Sequence, residues 1–147
     1  MNKPMAGKEK IQLDVVTPEE LVYSDKIDLL EGPAIDGLIG ILPKHAPLVT
    51  AMKIGIVRIM KDGEETEIAI SDGFMEVLPD RINLVVRTAE LPDMIDIDRA
   101  EAAKERAKER MEKASEQVDF ARAEAAYDRA ISRLKAAGHH DHGYDRL

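Results

Sequence analysis

The sequence predicts an all-β sandwich or flattened barrel followed by a C-terminal antiparallel two-helix hairpin. Three observations carry this. Seven of the nine glycines and all seven prolines lie in residues 1–93. That stretch breaks into short Val-, Ile- and Leu-rich runs separated by turn residues, the pattern of strands. Residues 94–147 hold no proline, and from Asp96 to Ala114 the strong helix formers Ala, Glu, Lys and Arg dominate. A chain of 147 residues makes one domain or two small ones. The shift near Leu91-Pro92-Asp93 divides it into 1–93 and 94–138.

Ile11 to Val16 predicts a first strand, stopped by Thr17-Pro18. Leu21 to Glu31 is long enough for one bent strand or two, closed by Gly32-Pro33. Ile39 to Leu42 is a short apolar piece before Pro43. Ile54 to Met60 and Glu65 to Ile70 flank Lys61-Asp62-Gly63-Glu64. Asp-Gly between two such runs favours a tight hairpin, because positive φ angles there match strand twist. Gly73 to Leu78 and Ile82 to Arg87 flank a second turn, Pro79-Asp80-Arg81. Short strands with turns at this spacing suggest a sandwich or flattened barrel.

The first helix is predicted over Asp96 to Ala114, with Asp98-x-x-Glu101 as a capping box. Ala100, Ala103, Ala107, Met111 and Ala114 form one thin apolar stripe. A second helix runs from about Gln117 to Ala137, with Phe120, Tyr127, Ile131 and Leu134 as its bulky stripe and Gly138 as terminator. The short connection at Lys113 to Glu116 favours antiparallel neighbours. Alanine buries little apolar area, so this hairpin is expected to be weakly held and able to open.

Composition narrows the function classes. Aromatic residues are 3% with no Trp, and the net charge is −8. Both argue against a nucleic-acid partner, and the charge also argues against an anionic membrane surface. Without Cys there is no disulfide, thiolate zinc site or cysteine nucleophile, and an intracellular location fits. The longest apolar runs, such as Leu38 to Leu42, fall far short of the roughly 20 residues that span a bilayer. Met1 to Lys10 lacks the apolar core of a signal peptide. His139, His140 and His142 beside Asp141 read as part of a disordered tail over 139–147 rather than as a metal site.

Basic charge is concentrated in the second part: eleven cationic against twelve acidic residues there, ten against seventeen in the first. Arg99 and Arg106 share one helix face, as do Arg122, Arg129 and Arg133. The plain reading is a solvated charged surface. The sharper one is a polyanion site, since facing arginine rows present paired N–H donors to phosphate oxygens. No Walker loop, dinucleotide glycine pattern or serine nucleophile motif is present. A hydrolytic reading of the arginine rows finds no evident general base or paired metal carboxylates.

Four ordered segments carry a family resemblance: Leu13-Asp14-Val15-Val16-Thr17-Pro18, Gly40-Ile41-Leu42-Pro43-Lys44-His45-Ala46-Pro47-Leu48, Ser71-Asp72-Gly73-Phe74-Met75-Glu76-Val77 and Thr88-Ala89-Glu90. From about Ile11 to Ala137 the chain resembles the epsilon subunit of bacterial F-type ATP synthase. The resemblance implies a β-sandwich and a helical hairpin in the central stalk. The implied partners are the gamma subunit, the c-subunit ring and the alpha and beta catalytic subunits. There would be no membrane span, and the place would be the cytoplasmic face of the bacterial membrane. His45 matches a position near gamma. Leu38 stands where family members often carry an acidic residue, which removes a charged contact to the ring. Leu91-Pro92 departs from the usual polar lead-in to the first helix.

Part of this family binds ATP on the folded hairpin through an Ile/Leu-Asp-x-x-Arg-Ala motif. Ile95-Asp96-Ile97-Asp98-Arg99-Ala100 matches it in full. The resemblance implies Glu90, Ile95, Asp96 and Ala100 around adenosine and Arg99 bracing the motif. It implies Arg106, Arg129 and Arg133 at the phosphates. ATP would be a regulatory ligand of a non-catalytic subunit, with a magnesium requirement left open. In the extended form the helices would restrain ATP hydrolysis. The alternative is a mechanical brake that does not sense ATP.

Overall fold

Alternation along the first strand sets the layout of a computed structural model, which describes residues 9–138. In β1 (Ile11–Val16) Ile11, Leu13 and Val15 are fully buried while their neighbours are partly exposed, because successive strand side chains point to opposite faces. The strands that follow are β2 (Leu21–Ile27), β3 (Leu29–Ala34), β4 (Gly37–Ile41), β5 (Leu48–Met52), β6 (Gly55–Lys61), β7 (Glu64–Ile70), β8 (Gly73–Leu78), β9 (Arg81–Val86) and the short β10 (Ala89–Glu90). They join in the order β10-β7-β6-β3-β5-β8-β9-β1-β2, with β4 on β3. All pairs are antiparallel except β1 with β9. The sheet folds over so that Lys61 of β6 reaches Asp25 of the edge strand β2 at 2.5 Å. The result is the expected sandwich-like, nearly closed barrel around one apolar cluster.

Several elements differ from the sequence expectation. Leu21 to Glu31 is two strands, one of the two arrangements expected, but the second does not close at Gly32-Pro33 and runs on to Ala34. Proline is tolerated because β3 changes partner there. Its pairing with β6 ends at Glu31, and Ala34 pairs with Met52 of β5. No ladder bond is lost where Pro33 lacks an N–H. Strand β5 falls outside the predicted set. It follows Pro43 and Pro47, and only Met52 of its five residues is buried, so the apolar alternation is faint. The Asp62-Gly63 turn holds as expected, both residues at positive φ (52° and 82°). At the other hairpin Leu78 pairs with Arg81, so the loop is Pro79-Asp80 alone.

A 3-10 turn at Pro92–Met94 leads into α1 (Ile97–Lys113), followed by α2 (Gln117–Ala136). Helix α1 is capped by Asp96 and not by the expected Asp98–Glu101 box. The Asp96 carboxylate accepts the Arg99 backbone N–H at 3.1 Å from an extended residue. Asp98 already lies within the first turn, where it favours the positive end of the helix dipole. Gly138 follows α2 at φ 84°. The helices pack on each other, and α2 lies against β6 and β7. Their contact is made of small residues, with Ala100 and Ala107 of α1 buried alongside Ala123, Tyr127, Ala130 and Leu134 of α2. Phe120, expected in the seam, is 40% exposed. It lies in the first turn of α2, beyond the seam's buried residues. The predicted tail, 139–147, lies outside the described residues.

Candidate functional site

Three segments converge where the sandwich meets the hairpin. Strand β10 carries Glu90 and is held by pairing with Ala69 of β7. The N-cap of α1 supplies Asp96, its first turn Arg99 and Ala100, its middle Arg106, and the last turns of α2 supply Arg133. Together with Met94 and Ala103 they line one cleft of about 280 Å³. Six residues of the eight-residue set expected for ATP, Glu90, Asp96, Arg99, Ala100, Arg106 and Arg133, therefore share one cavity. Ile95 and Arg129 do not line it. Arg129 lines a neighbouring cleft toward the loop between the helices.

The Arg133 Nε–H donates to Glu90 Oε1. This ion pair joins the sandwich edge to α2, and both side chains are 29% exposed. Arg99 and Arg106 make no ion pair among the described residues. The cleft thus offers two uncompensated guanidinium groups, a third already engaged by a carboxylate, and a second carboxylate at Asp96. Such forks suit phosphate oxygens.

Two of these residues also have plain structural duties. Asp96 satisfies an orphan N–H at the start of α1. Ala100 is buried at 3% exposure in the helix seam, where a larger side chain would force α1 outward. The motif is therefore partly a helix-start signal.

His45 lies elsewhere, on the loop between β4 and β5, where its Nδ1–H donates to the Ala46 carbonyl at 2.7 Å. Leu38 on β4, Leu42 in the same loop and Val49 on β5 are largely exposed. Sequence reasoning missed Met94 and Ala103 as cleft residues. Ala103 carried a signal, since it is one turn from Ala100 and Arg106 on the same stripe. Met94 carried none, because the 3-10 turn that places it was not predicted. Among the described residues no cluster of three or more His, Asp or Glu could hold a metal ion, and no helix is long and apolar enough to cross a membrane.

Comparison with known proteins matches both parts of the chain. Residues 10–92 match the family model for the beta-sandwich domain of the ATP synthase delta/epsilon chain. Residues 93–138 match its long alpha-helix domain. An ATP synthase epsilon chain from Desulforamulus reducens is 51% identical over 100 residues, 68% of this chain and 76% of that one. One from Alkalihalophilus pseudofirmus is 46% identical over 101 residues, 69% and 76% of the two chains. A chain in the Euglena gracilis mitochondrial ATP synthase (OSCP/F1/c-ring) shares the fold at TM-score 0.75 and 20% identity. That match covers 95% of this chain and 91% of the other.

Proposed function

The chain belongs to the ATP synthase delta/epsilon family, whose epsilon members are non-catalytic stalk subunits, and from that premise we propose an ATP-sensitive regulator of the rotor. In this reading the sandwich contacts the gamma subunit and the c-ring at the cytoplasmic face of the membrane. The hairpin closes on the sandwich when ATP is abundant. When ATP falls, the helices extend toward the alpha and beta subunits and restrain hydrolysis.

One observation carries the reading: Glu90, Asp96, Arg99, Ala100, Arg106 and Arg133, drawn from β10, α1 with its N-cap, and α2, line a single cleft while α1 packs on α2 and α2 lies against β6 and β7. Arg106 and Arg133 would hold phosphate oxygens, with Glu90, Asp96 and Ala100 toward adenosine. Arg129, one helical turn before Arg133, would meet the end of the phosphate tail. A ligand shifts this equilibrium only by its differential affinity for the closed form. Extending the hairpin parts α2 from β6, β7 and Glu90 and so dismantles the cleft, which supplies that difference.

The same cleft gives a specific ground for the mechanical-brake alternative. Asp96 caps α1, Ala100 packs the seam, and Glu90 pairs with Arg133, so each has a use without nucleotide. Titrating ATP into the full chain separates the two. Saturable binding below millimolar ATP is expected, with Arg106→Ala and Arg133→Ala each weakening it at least tenfold, the scale of a charge-assisted hydrogen bond. No saturation up to millimolar ATP would reject the sensor and leave the brake. Co-purification with a gamma subunit tests the stalk role by itself.

A further inference from the structure

The Glu90 cleft has one large apolar side chain in its lining, and it is not the one the motif supplies. The resemblance set Ile95 beside adenosine, yet Ile95 does not line the cleft and Met94 does. The rest of the lining is five charged residues and two alanines, Ala100 and Ala103. A flat aromatic base therefore finds no other broad apolar surface there. Met94 is 45% exposed, so its surface is not already committed to the core.

The Leu91-Pro92 lead-in accounts for the placement. Pro92 opens the 3-10 turn Pro92–Met94, where its fixed φ and missing N–H are tolerated. The Met94 backbone N–H donates to the Leu91 carbonyl at 2.9 Å, and the Leu91 N–H donates to Met94 Sδ at 3.5 Å. Backbone and side chain of Met94 are thus both tied to one residue, which leaves less rotamer freedom to lose when a ligand arrives. A polarisable thioether makes favourable contacts with aromatic rings. Asp96 caps α1, and Arg106 lies ten residues on, about 15 Å along the axis. Met94 precedes Asp96 and so stands at the end of the cleft remote from Arg106.

We propose that Met94 is the base-holding residue of this cleft: its thioether covers one face of the purine ring while the arginines hold the phosphates. The inference rests on the ATP-binding reading of the cleft and adds to it a residue outside the motif. Affinity for the base then comes from the turn before α1 as well as from the motif.

The test is calorimetric titration of the full chain with ATP and with inorganic tripolyphosphate, which has no base. Met94→Ala should weaken ATP about fivefold, through lost apolar area and lost sulfur contact. Met94→Leu, which keeps apolar area without sulfur, should fall between the two. Tripolyphosphate should bind wild type and Met94→Ala equally, or neither. Without ligand, hydrogen exchange across α1 and α2 should be the same in both. Unchanged ATP affinity in Met94→Ala, with the wild type binding, would overturn this inference and leave the sensor reading standing. Weaker binding by Met94→Leu than by Met94→Ala would overturn it too. So would an equal loss for tripolyphosphate or lower protection of the free hairpin, since Met94 would then act on closure and not on the base. No ATP binding by the wild type would reject the sensor reading itself, and this inference with it.

Discussion

The sandwich and the hairpin bury themselves by different means. Every one of the largest fully buried side chains among the described residues, from Ile11 and Leu13 to Ile82 and Leu84, belongs to the sandwich. The hairpin's buried set is mostly alanine, with Tyr127 and Leu134 as its only large apolar members among the described residues, and it includes Lys104 and Ser132. None of these hairpin residues joins the sandwich's apolar cluster. At about 25 cal/mol per Å² of apolar surface, a wall of Ile, Leu and Val outweighs a seam of methyl groups several-fold. One chain thus carries a rigid body and an element of low local stability, the class from which moving parts are drawn.

The largest expected effect lies where the rigid body tolerates no atom. A Cβ at Gly73 would sit 2.1 Å from the Val85 carbonyl oxygen and 2.6 Å from the Val86 Cα. Both are backbone atoms of the partner strand β9 and cannot swing aside. Gly73→Ala should lower stability by about 3 kcal/mol or more, read as a fall in the urea midpoint of the sandwich. An unchanged midpoint would mean that β8 and β9 are not held this closely, and the contrast with the hairpin would weaken.

An intermediate effect is expected from Ala107→Leu. Ala107 is 2% exposed and packs α1 on α2. A leucine there should wedge the helices apart at a cost of about 1–3 kcal/mol, taken from the hairpin alone. Hydrogen exchange is the measurement: protection should drop across α1 and α2 and stay intact in β1, β8 and β9. Loss of protection in both regions together would show one cooperative unit and dissolve the comparison.

What the sequence made legible follows the same division. Strands with two-residue periodicity, such as β1, and hairpins with an Asp-Gly turn were readable because local chemistry decides them. Strand β5 was not, since four of its five residues stay partly or wholly exposed and its place comes from pairing with β8 across a long stretch of chain. The cleft was legible only in part. Helical spacing puts Arg99 and Arg106 on one face, but spacing within α2 cannot say that Arg133 turns to Glu90 while Arg129 faces the other cleft. That outcome depends on how α2 sits on β6 and β7, which is long-range packing. Asp96 was readable as a motif residue, yet its capping role required the helix to start one residue later than predicted.

The smallest expected effect tests whether the sandwich also leans on charge. The Lys61 ammonium, and then the Lys26 backbone N–H, hold the Asp25 carboxyl below its usual value. A carboxyl depressed by folding favours the folded state above its ordinary value, near 4, and the contribution disappears as pH falls through the folded value. Both partners are well exposed, so solvent and salt screen most of the attraction. Asp25→Asn should therefore lower the sandwich's urea midpoint slightly at pH 7 and leave it unchanged at pH 2. Glu65 beside Arg58 and Asp14 beside Ser24 and Gln12 are depressed too, so the variant keeps part of the wild-type acid sensitivity. A pH 7 effect as large as that of Gly73→Ala would mean that the Asp25–Lys61 bridge, and not the apolar wall, closes β6 onto β2. The sandwich would then be latched by a surface ion pair, as the hairpin is by Glu90 and Arg133.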